Sequence, residues 1–392
     1  MNTLIAQCGG PTPVINTSLA ALITAWQALP GGGHLWGARH GLGGVVGGDW
    51  VELTATPAAQ LARLAQQPAA ALGGSRYRPT DAELSAVIPR LLDAQIDALC
   101  LIGGNGTMGA VGKLAATAAA QHAPLRVIGI PKTIDNDLPG CDVTPGYASA
   151  ARYLAITTQE IGLDLRAMAG FDQVAIIEAM GRHTGWLTAA TALARHAAGD
   201  PPHILLFPEA PMAPDDLLAA IDRAYTAHGI CVIAAAEGVA THDGRYYAEM
   251  GGAASQDPSG QRVFSMAAGV SAALAQMVQQ TLGLRCRQLR LNTAQRASAA
   301  LASPLDREIA AVVGVAGLAA AQAGHTGVMV SVRVAGSAWR TELAPVAKVV
   351  GRERRLPAEF IADSGIDVTA AFREYAAPLV APLPLEPVFW VR

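Results

Sequence analysis

Residues 98–107 read ALCLIGGNGT, and this stretch decides the fold. Ala98–Ile102 is a short apolar run without a polar break, the pattern of a strand buried on both faces. Gly103-Gly104-Asn105-Gly106 is a turn, and Thr107–Ala120 has the composition of a helix. The same order recurs on either side. Thr3–Gln7 leads through Gly9-Gly10-Pro11-Thr12-Pro13 into the helical Ile15–Leu29, and Val127–Ile130 leads into Pro131-Lys132-Thr133-Ile134-Asp135-Asn136-Asp137. Gln173–Glu178 leads through Met180-Gly181-Arg182-His183 into a helix expected over Gly185–His196. Ile204–Phe207 and Cys231–Ala236 end at Pro208-Glu209 and Glu237-Gly238. Apolar strands alternating with helices specify an α/β fold with mainly parallel sheets.

The chain has 392 residues, more than one hydrophobic core usually serves, so two Rossmann-like lobes with a ligand cleft between them are expected. Apolar residues make up 51% and charged residues 15%, which excludes a disordered chain. The most hydrophobic run, Ile309–Ala321, is broken by Gly314 and Gly317 and is too short to span a bilayer, so no membrane association and a cytoplasmic location are expected. A formal net charge of −3 gives no general attraction to nucleic acid. The five cysteines share no zinc-ligand spacing, and Cys100 and Cys231 fall inside strand runs as small buried hydrophobes. Glycine-rich Leu29–Trp50 and Thr241–Gln261 read as loops, and the proline-rich chain beyond Ala376 as extended packing. The first turn, Cys8-Gly9-Gly10-Pro11-Thr12, lacks the glycine spacing of a dinucleotide fingerprint, which removes a nicotinamide oxidoreductase from consideration.

The polar residues are placed after the strands, where open α/β sheets bind ligands and helix N-termini favour anions. Arginines gather at Arg285, Arg287, Arg290 and Arg296, a local cluster suited to a small anion. Asp135 and Asp137, two apart, share a face in extended backbone. Such a pair either works with a cation, Lys132 or a magnesium ion, or is a polar turn closed by Asx hydrogen bonds.

PKTIDNDL at 131–138 resembles the catalytic segment of phosphofructokinases, and its lysine resembles their pyrophosphate-dependent branch. GGPTPVIN at 9–16, GGNGT at 103–107, GSRY at 74–77, MGRHTGW at 180–186 and the segment 295–330 resemble the same family in order. Asp367–Thr369, Tyr375 and Pro378–Val380 extend the likeness to nearly the full length. The resemblance implies a magnesium-dependent transfer of a phosphoryl group from pyrophosphate to the 1-hydroxyl of fructose 6-phosphate or a related ketose phosphate. It makes Asp135 the base, with Thr133 and Asp137 positioning hydroxyl and metal, and Asn105 the second metal residue. Lys132, Gly10, Arg76, Gly104, Asn105, Gly106 and Thr107 would hold the donor phosphates. Arg182 and Arg76 would neutralise the moving group, with Met180 and Gly181 beside the acceptor and Glu237 accepting from its hydroxyls. Arg287 and Arg296 would bind its far phosphate, the first from a neighbouring subunit, in a homodimer or homotetramer with shared sites.

The implied division is residues 1–145 with about 297–345 as donor lobe, 146–296 as acceptor lobe and 346–392 as a helical and extended extension. Four positions depart from the family's best-known members: Asn105 replaces an aspartate, Gly106 an aspartate of many pyrophosphate enzymes, Gln173 an arginine and Thr293 a histidine. Gly106 leaves an ATP-dependent sugar-phosphate kinase and Asn105 a non-catalytic sugar-phosphate sensor as alternatives, while Gln173 and Thr293 leave the acceptor sugar open.

Overall fold

The computed structural model describes residues 1–250, 255–256, 262–263, 269–335 and 338–383. The described chain forms two compact units, residues 1–149 with 296–354 and residues 150–295 with 355–392.

The first unit is built on a seven-stranded sheet. Its strands are β1 (Thr3–Gln7), β2 (Leu35–Ala38), β3 (Trp50–Glu52), β4 (Ala98–Gly103) and β5 (Arg126–Pro131), joined later in the chain by β12 (Val328–Ala335) and β13 (Ala338–Pro345). Between them come β6 (Val174–Ala179), β7 (Ile204–Leu206), β8 (Cys231–Ala236), β9 (Ser255–Gln256), β10 (Arg262–Val263) and β11 (Cys286–Arg290). The seven run in the order β13-β12-β5-β4-β1-β2-β3, parallel from β12 to β2 with an antiparallel strand at each edge. All residues of β1 and β4 are buried, as strands covered by helices on both faces must be.

One of those covering helices is the apolar run singled out above. It spans Pro304–Gln322, with Pro304 in its first turn and the Ser303 hydroxyl accepting from Asp306 N–H. Its glycines permit close approach. A methyl at Gly314 would overlap the Ser18 carbonyl of the Ile15–Gln27 helix, and one at Gly317 would come within 2.6 Å of Ile130 on β5. Asp306, fully buried, accepts from Gly146 N–H at 2.9 Å and Ser149 N–H at 3.0 Å, and so ties residues 160 apart in sequence.

In the second unit, four parallel strands run in the order β11-β6-β8-β7. Val174, Ile176, Ile233, Leu274 and Val278 lie in its main core. Among the described residues no helix is long and apolar enough to cross a membrane. Cys100 and Cys231 are fully buried, as read from their strands.

Three local readings change. Leu29–Trp50 is not a loop: it contains β2 and a short helix, Leu42–Gly47, because Leu35, Leu42 and Val45 have a core to enter. The helix expected over Gly185–His196 stops at Ala190 and tightens into a 3-10 turn at Thr191–Ala194, where the Thr191 hydroxyl donates to Thr188 O. Pro378 lies inside a helix, Ala370–Val380, rather than in extended chain. That helix sets Phe372 and Tyr375 beside Phe360, with Tyr375 also against Trp186, and buries Leu379 and Val380, which offsets the one N–H that Pro378 lacks. The expected loop 241–261 lies partly, and Pro384 and Pro387 wholly, outside the described residues.

Candidate active site

Three strand ends of the first unit carry its polar centre. After β1 the chain turns at Gly9, whose φ of +73° suits only a residue without a side chain to clash. Gly9 N–H donates to Ser75 O at 3.2 Å, which brings the exposed Arg76 segment against this turn. After β4, Gly104 is the N-cap of a sixteen-residue helix, Asn105–Ala120, whose first turn holds Gly106 and the buried Thr107. The free N–H groups of that turn favour negative charge.

β5 delivers Lys132–Asp137. Lys132 is buried, and its Nζ donates to the Gly10 carbonyl at 2.6 Å. Burial pulls its pKa down to about 8, with Arg296 adding to the fall while Cys8, Asp135 and Asp137 oppose it. Asn136 adopts a left-handed φ of +55° and accepts from Thr144 N–H through its side chain, turning the chain between the two aspartates. Asp135 N–H donates to the Thr133 hydroxyl at 3.1 Å. Asp137 is held above the usual carboxylate range by burial, then by the charges of Asp135 and Glu353. A polar turn, closed by the Thr133 hydroxyl and the Asn136 side chain, and the carboxylate pair beside Lys132 are therefore both present in one segment.

Asn105 Nδ2 donates to Asp137 Oδ2 at 2.8 Å, bridging β4 and β5 ends. The other oxygen of each side chain, Asn105 Oδ1 and Asp137 Oδ1, is buried without a hydrogen-bond partner. Two neighbouring side chains with unsatisfied oxygens, one of them a carboxylate, match the all-oxygen chemistry of a magnesium ligand set. Among the described residues no group of three histidine, cysteine or acidic side chains is arranged to hold a metal ion. The fit rests on the Asn105–Asp137 pair.

In the second unit the ends of β6 and β8 meet. Glu237 N–H donates to Ala179 O at 2.9 Å and Gly238 N–H to Gly181 O at 3.2 Å, so Met180–Arg182 and Glu237 share one corner. Gly181 has φ +131°, and a methyl at Gly238 would overlap the Arg182 carbonyl. Arg182 Nε is buried without a hydrogen-bond partner. Gln295, which sequence reading passed over, fixes the corner: its amide accepts from Met180 N–H at 2.9 Å and donates to Glu178 O at 3.4 Å. No periodicity marks it; a polar residue that is 1% exposed is visible only in the structure.

The two expected acceptor arginines belong to different units. Arg287 pairs in register with Ala175 near the start of β6, about 16 Å of strand from the Met180 corner. There it forms an ion pair with Asp172 at 2.6 Å. Gln173 is also engaged, donating to the Tyr225 hydroxyl and accepting from Arg285 N–H, and Thr293 is exposed. Arg296 belongs to the first unit, against the Gly9–Gly10 turn.

Fold and strand ends together define an α/β protein with glycine-rich, polar turns at the carboxyl edges of its sheets, where such folds take their ligands. The chain belongs to the phosphofructokinase family, whose model matches residues 2–321. A pyrophosphate–fructose 6-phosphate 1-phosphotransferase of Xanthomonas campestris pv. campestris is 36% identical over 97% of this chain and 91% of its own. A sulfofructose kinase of Alkalicoccus urumqiensis is 32% identical over 97% and 96%. The crystal structure of a pyrophosphate-dependent phosphofructokinase from Nitrosospira multiformis superposes with a TM-score of 0.89 at 31% identity, covering 99% of this chain and 94% of that one.

Proposed function

We propose that the protein transfers a phosphoryl group from pyrophosphate to the 1-hydroxyl of fructose 6-phosphate or a closely related ketose. One observation carries the choice of donor: the buried Lys132 amine, set on the Gly9–Gly10 turn beside Asp135 and Asp137. Pyrophosphate has no base or ribose to bury, so its affinity comes from cations and N–H groups, and this corner supplies both.

Asp135 takes the proton from the acceptor hydroxyl, and Thr133 holds the segment that presents it. Arg182 clamps the moving phosphoryl group with its planar fork, and Arg76 assists from the Ser75 segment. Gly104, Gly106 and Thr107 cradle donor phosphate at the helix N-terminus. Asn105 and Asp137 are the residues that would hold magnesium, which offsets donor charge when bound. Met180, Gly181 and Glu237 receive the sugar. Arg287, remote from that corner along its own sheet, serves the far end of the acceptor in a neighbouring subunit, so the active form is an oligomer with shared sites and at least two chains. Residues up to Ser149 with the returning segment act as donor lobe and the four-stranded unit as acceptor lobe, in a cytoplasmic enzyme.

A second reading has its own support. A methyl at Gly106 would meet nothing within 4 Å, so nothing at that position crowds out the nucleoside of ATP. Purified protein with magnesium, fructose 6-phosphate, and either pyrophosphate or ATP, followed by phosphorus NMR, separates the two. Turnover with pyrophosphate and little with ATP is expected; the reverse preference would overturn the donor assignment.

A further inference from the structure

Residues after 354 belong to the four-stranded unit, and they grip the chain that continues from Met180–Gly185. Leu205 N–H on β7 donates to Ile366 O at 2.9 Å. Arg195 pairs with both oxygens of Asp367, at 2.7 and 2.8 Å. The Ala370–Val380 helix sets the Tyr375 ring 5.5 Å from that of the fully buried Trp186, and Arg373 donates to Ala192 O at 3.0 Å.

One side chain joins this extension directly to the turn. Glu209 Oε1 accepts from Gly185 N–H at 3.1 Å and from Leu356 N–H at 2.9 Å, donors 24 and 147 residues away from it in sequence. Its other oxygen, Oε2, is buried without a hydrogen-bond partner, and a methyl on Gly185 would stand 2.9 Å from it. Burying a carboxylate is costly, and here the two backbone N–H groups offset the cost. The turn itself has no slack. A methyl on Gly181 would come within 2.4 Å of Thr184 O, and Gly181 O already accepts from Gly238 N–H. A shift at Gly185 is therefore passed to Gly181 and Arg182.

We propose that Glu209 is a positioning residue for the acceptor corner: it fastens the C-terminal extension to the Met180–Gly185 turn, so that the extension sets where Arg182 stands. The inference rests on the reading of that corner as the acceptor site. A carboxylate suits the task because one ionised oxygen can accept two N–H groups strongly.

Hydrogen exchange read by mass spectrometry, beside steady-state kinetics with pyrophosphate and fructose 6-phosphate, tests it on full-length wild type, Glu209→Leu, Glu209→Gln, Tyr375→Ala and the Glu209→Leu/Tyr375→Ala double variant. Glu209→Leu and Tyr375→Ala should each speed exchange in the 180–186 peptide by about tenfold or more, while the strand β6 beside it keeps its protection. Glu209→Leu should lower kcat/KM for the acceptor by about 10–100-fold and leave the pyrophosphate KM nearly unchanged. Glu209→Gln, which keeps an oxygen for the two N–H groups, should retain most of the activity. The double variant should lose less than the product of the two single losses, because both changes release the same fastening. Unaltered exchange at 180–186 in Tyr375→Ala, with independent losses in the double variant, would overturn the inference. So would exchange that rises evenly through the four-stranded sheet in Glu209→Leu, which marks general loosening. If the exchange pattern holds but wild type phosphorylates no ketose phosphate from either donor, the acceptor reading fails and the fastening stands.

Discussion

Asp135 and Lys132 sit three residues apart and, in the proposed reaction, divide the chemistry between proton and charge. Asp135→Asn removes the base while keeping shape, and turnover should fall by about 10²–10⁴-fold with little change in substrate KM; pre-steady-state mixing with saturating substrates reads the chemical step directly. Lys132 gives a pH signature. Its amine titrates near 8 in the folded protein against an ordinary 10.5, because burial disfavours the charged form. Between those values the unfolded chain binds more protons than the folded one, so this group makes folding more favourable as pH rises from about 8 to 10.5. Donor capture moves the other way: kcat/KM for pyrophosphate should fall on an alkaline limb with an apparent pKa near 8, and Lys132→Met should lack that limb at lower overall efficiency. An unchanged limb in the variant would assign it to another group. The residues at this scale were legible because PKTIDND concentrates them in one segment. Asn105 was legible as a candidate ligand but not as the donor that orients Asp137, since that contact joins residues 32 apart. Arg296 was legible as one of a cluster and, by resemblance, as an acceptor binder; its packing on the Gly9–Gly10 turn is a matter of tertiary placement.

Among the elements, the Pro304–Gln322 helix shows how a pattern can name an element without naming its partner. Its apolar run and glycines gave a buried segment, yet nothing local says that Gly314 meets Ser18 or that Gly317 meets Ile130. Gly314→Val would drive a side chain into a backbone carbonyl that cannot swing aside, and chemical denaturation should register a loss of about 1–3 kcal/mol or more. Gly324→Ala, beyond the helix end and with open space around it, is a control for position but carries strain of its own from φ +83°. The six strands named from the sequence were read nearly to the residue because they are continuous and apolar, whereas β2 lay in a stretch read as a loop. Helix ends were not: Thr191 closes one early through its hydroxyl, and aromatic packing carries another past Pro378. Both outcomes turn on side-chain contacts that a hydrophobic period does not contain.

For the whole molecule, the remoteness of Arg287 from the Met180 corner makes a prediction about mixtures. Arg287→Ala and Asp135→Asn should each be nearly inactive alone. Unfolded and refolded together as a dimer, they should regain roughly a quarter of wild-type activity, since half the dimers are hybrids with one site free of both changes. No recovery in mixtures shown by native mass spectrometry to contain hybrids would place Arg287 on its own chain's site, or on none. The first unit also has a consequence for how the protein is made. Its sheet is open at β5 until β12 arrives, and the Ile15–Gln27 helix lacks its cover until Pro304–Gln322 is synthesised. Residues 150–295 emerge in between, a wait of roughly ten to thirty seconds at ordinary translation rates. During it, an exposed strand edge of Arg126–Pro131 invites pairing with other nascent chains. The four-stranded unit, nearly continuous in sequence, is therefore the one to fold first on the ribosome, and the half of the protein that is translated earliest matures last.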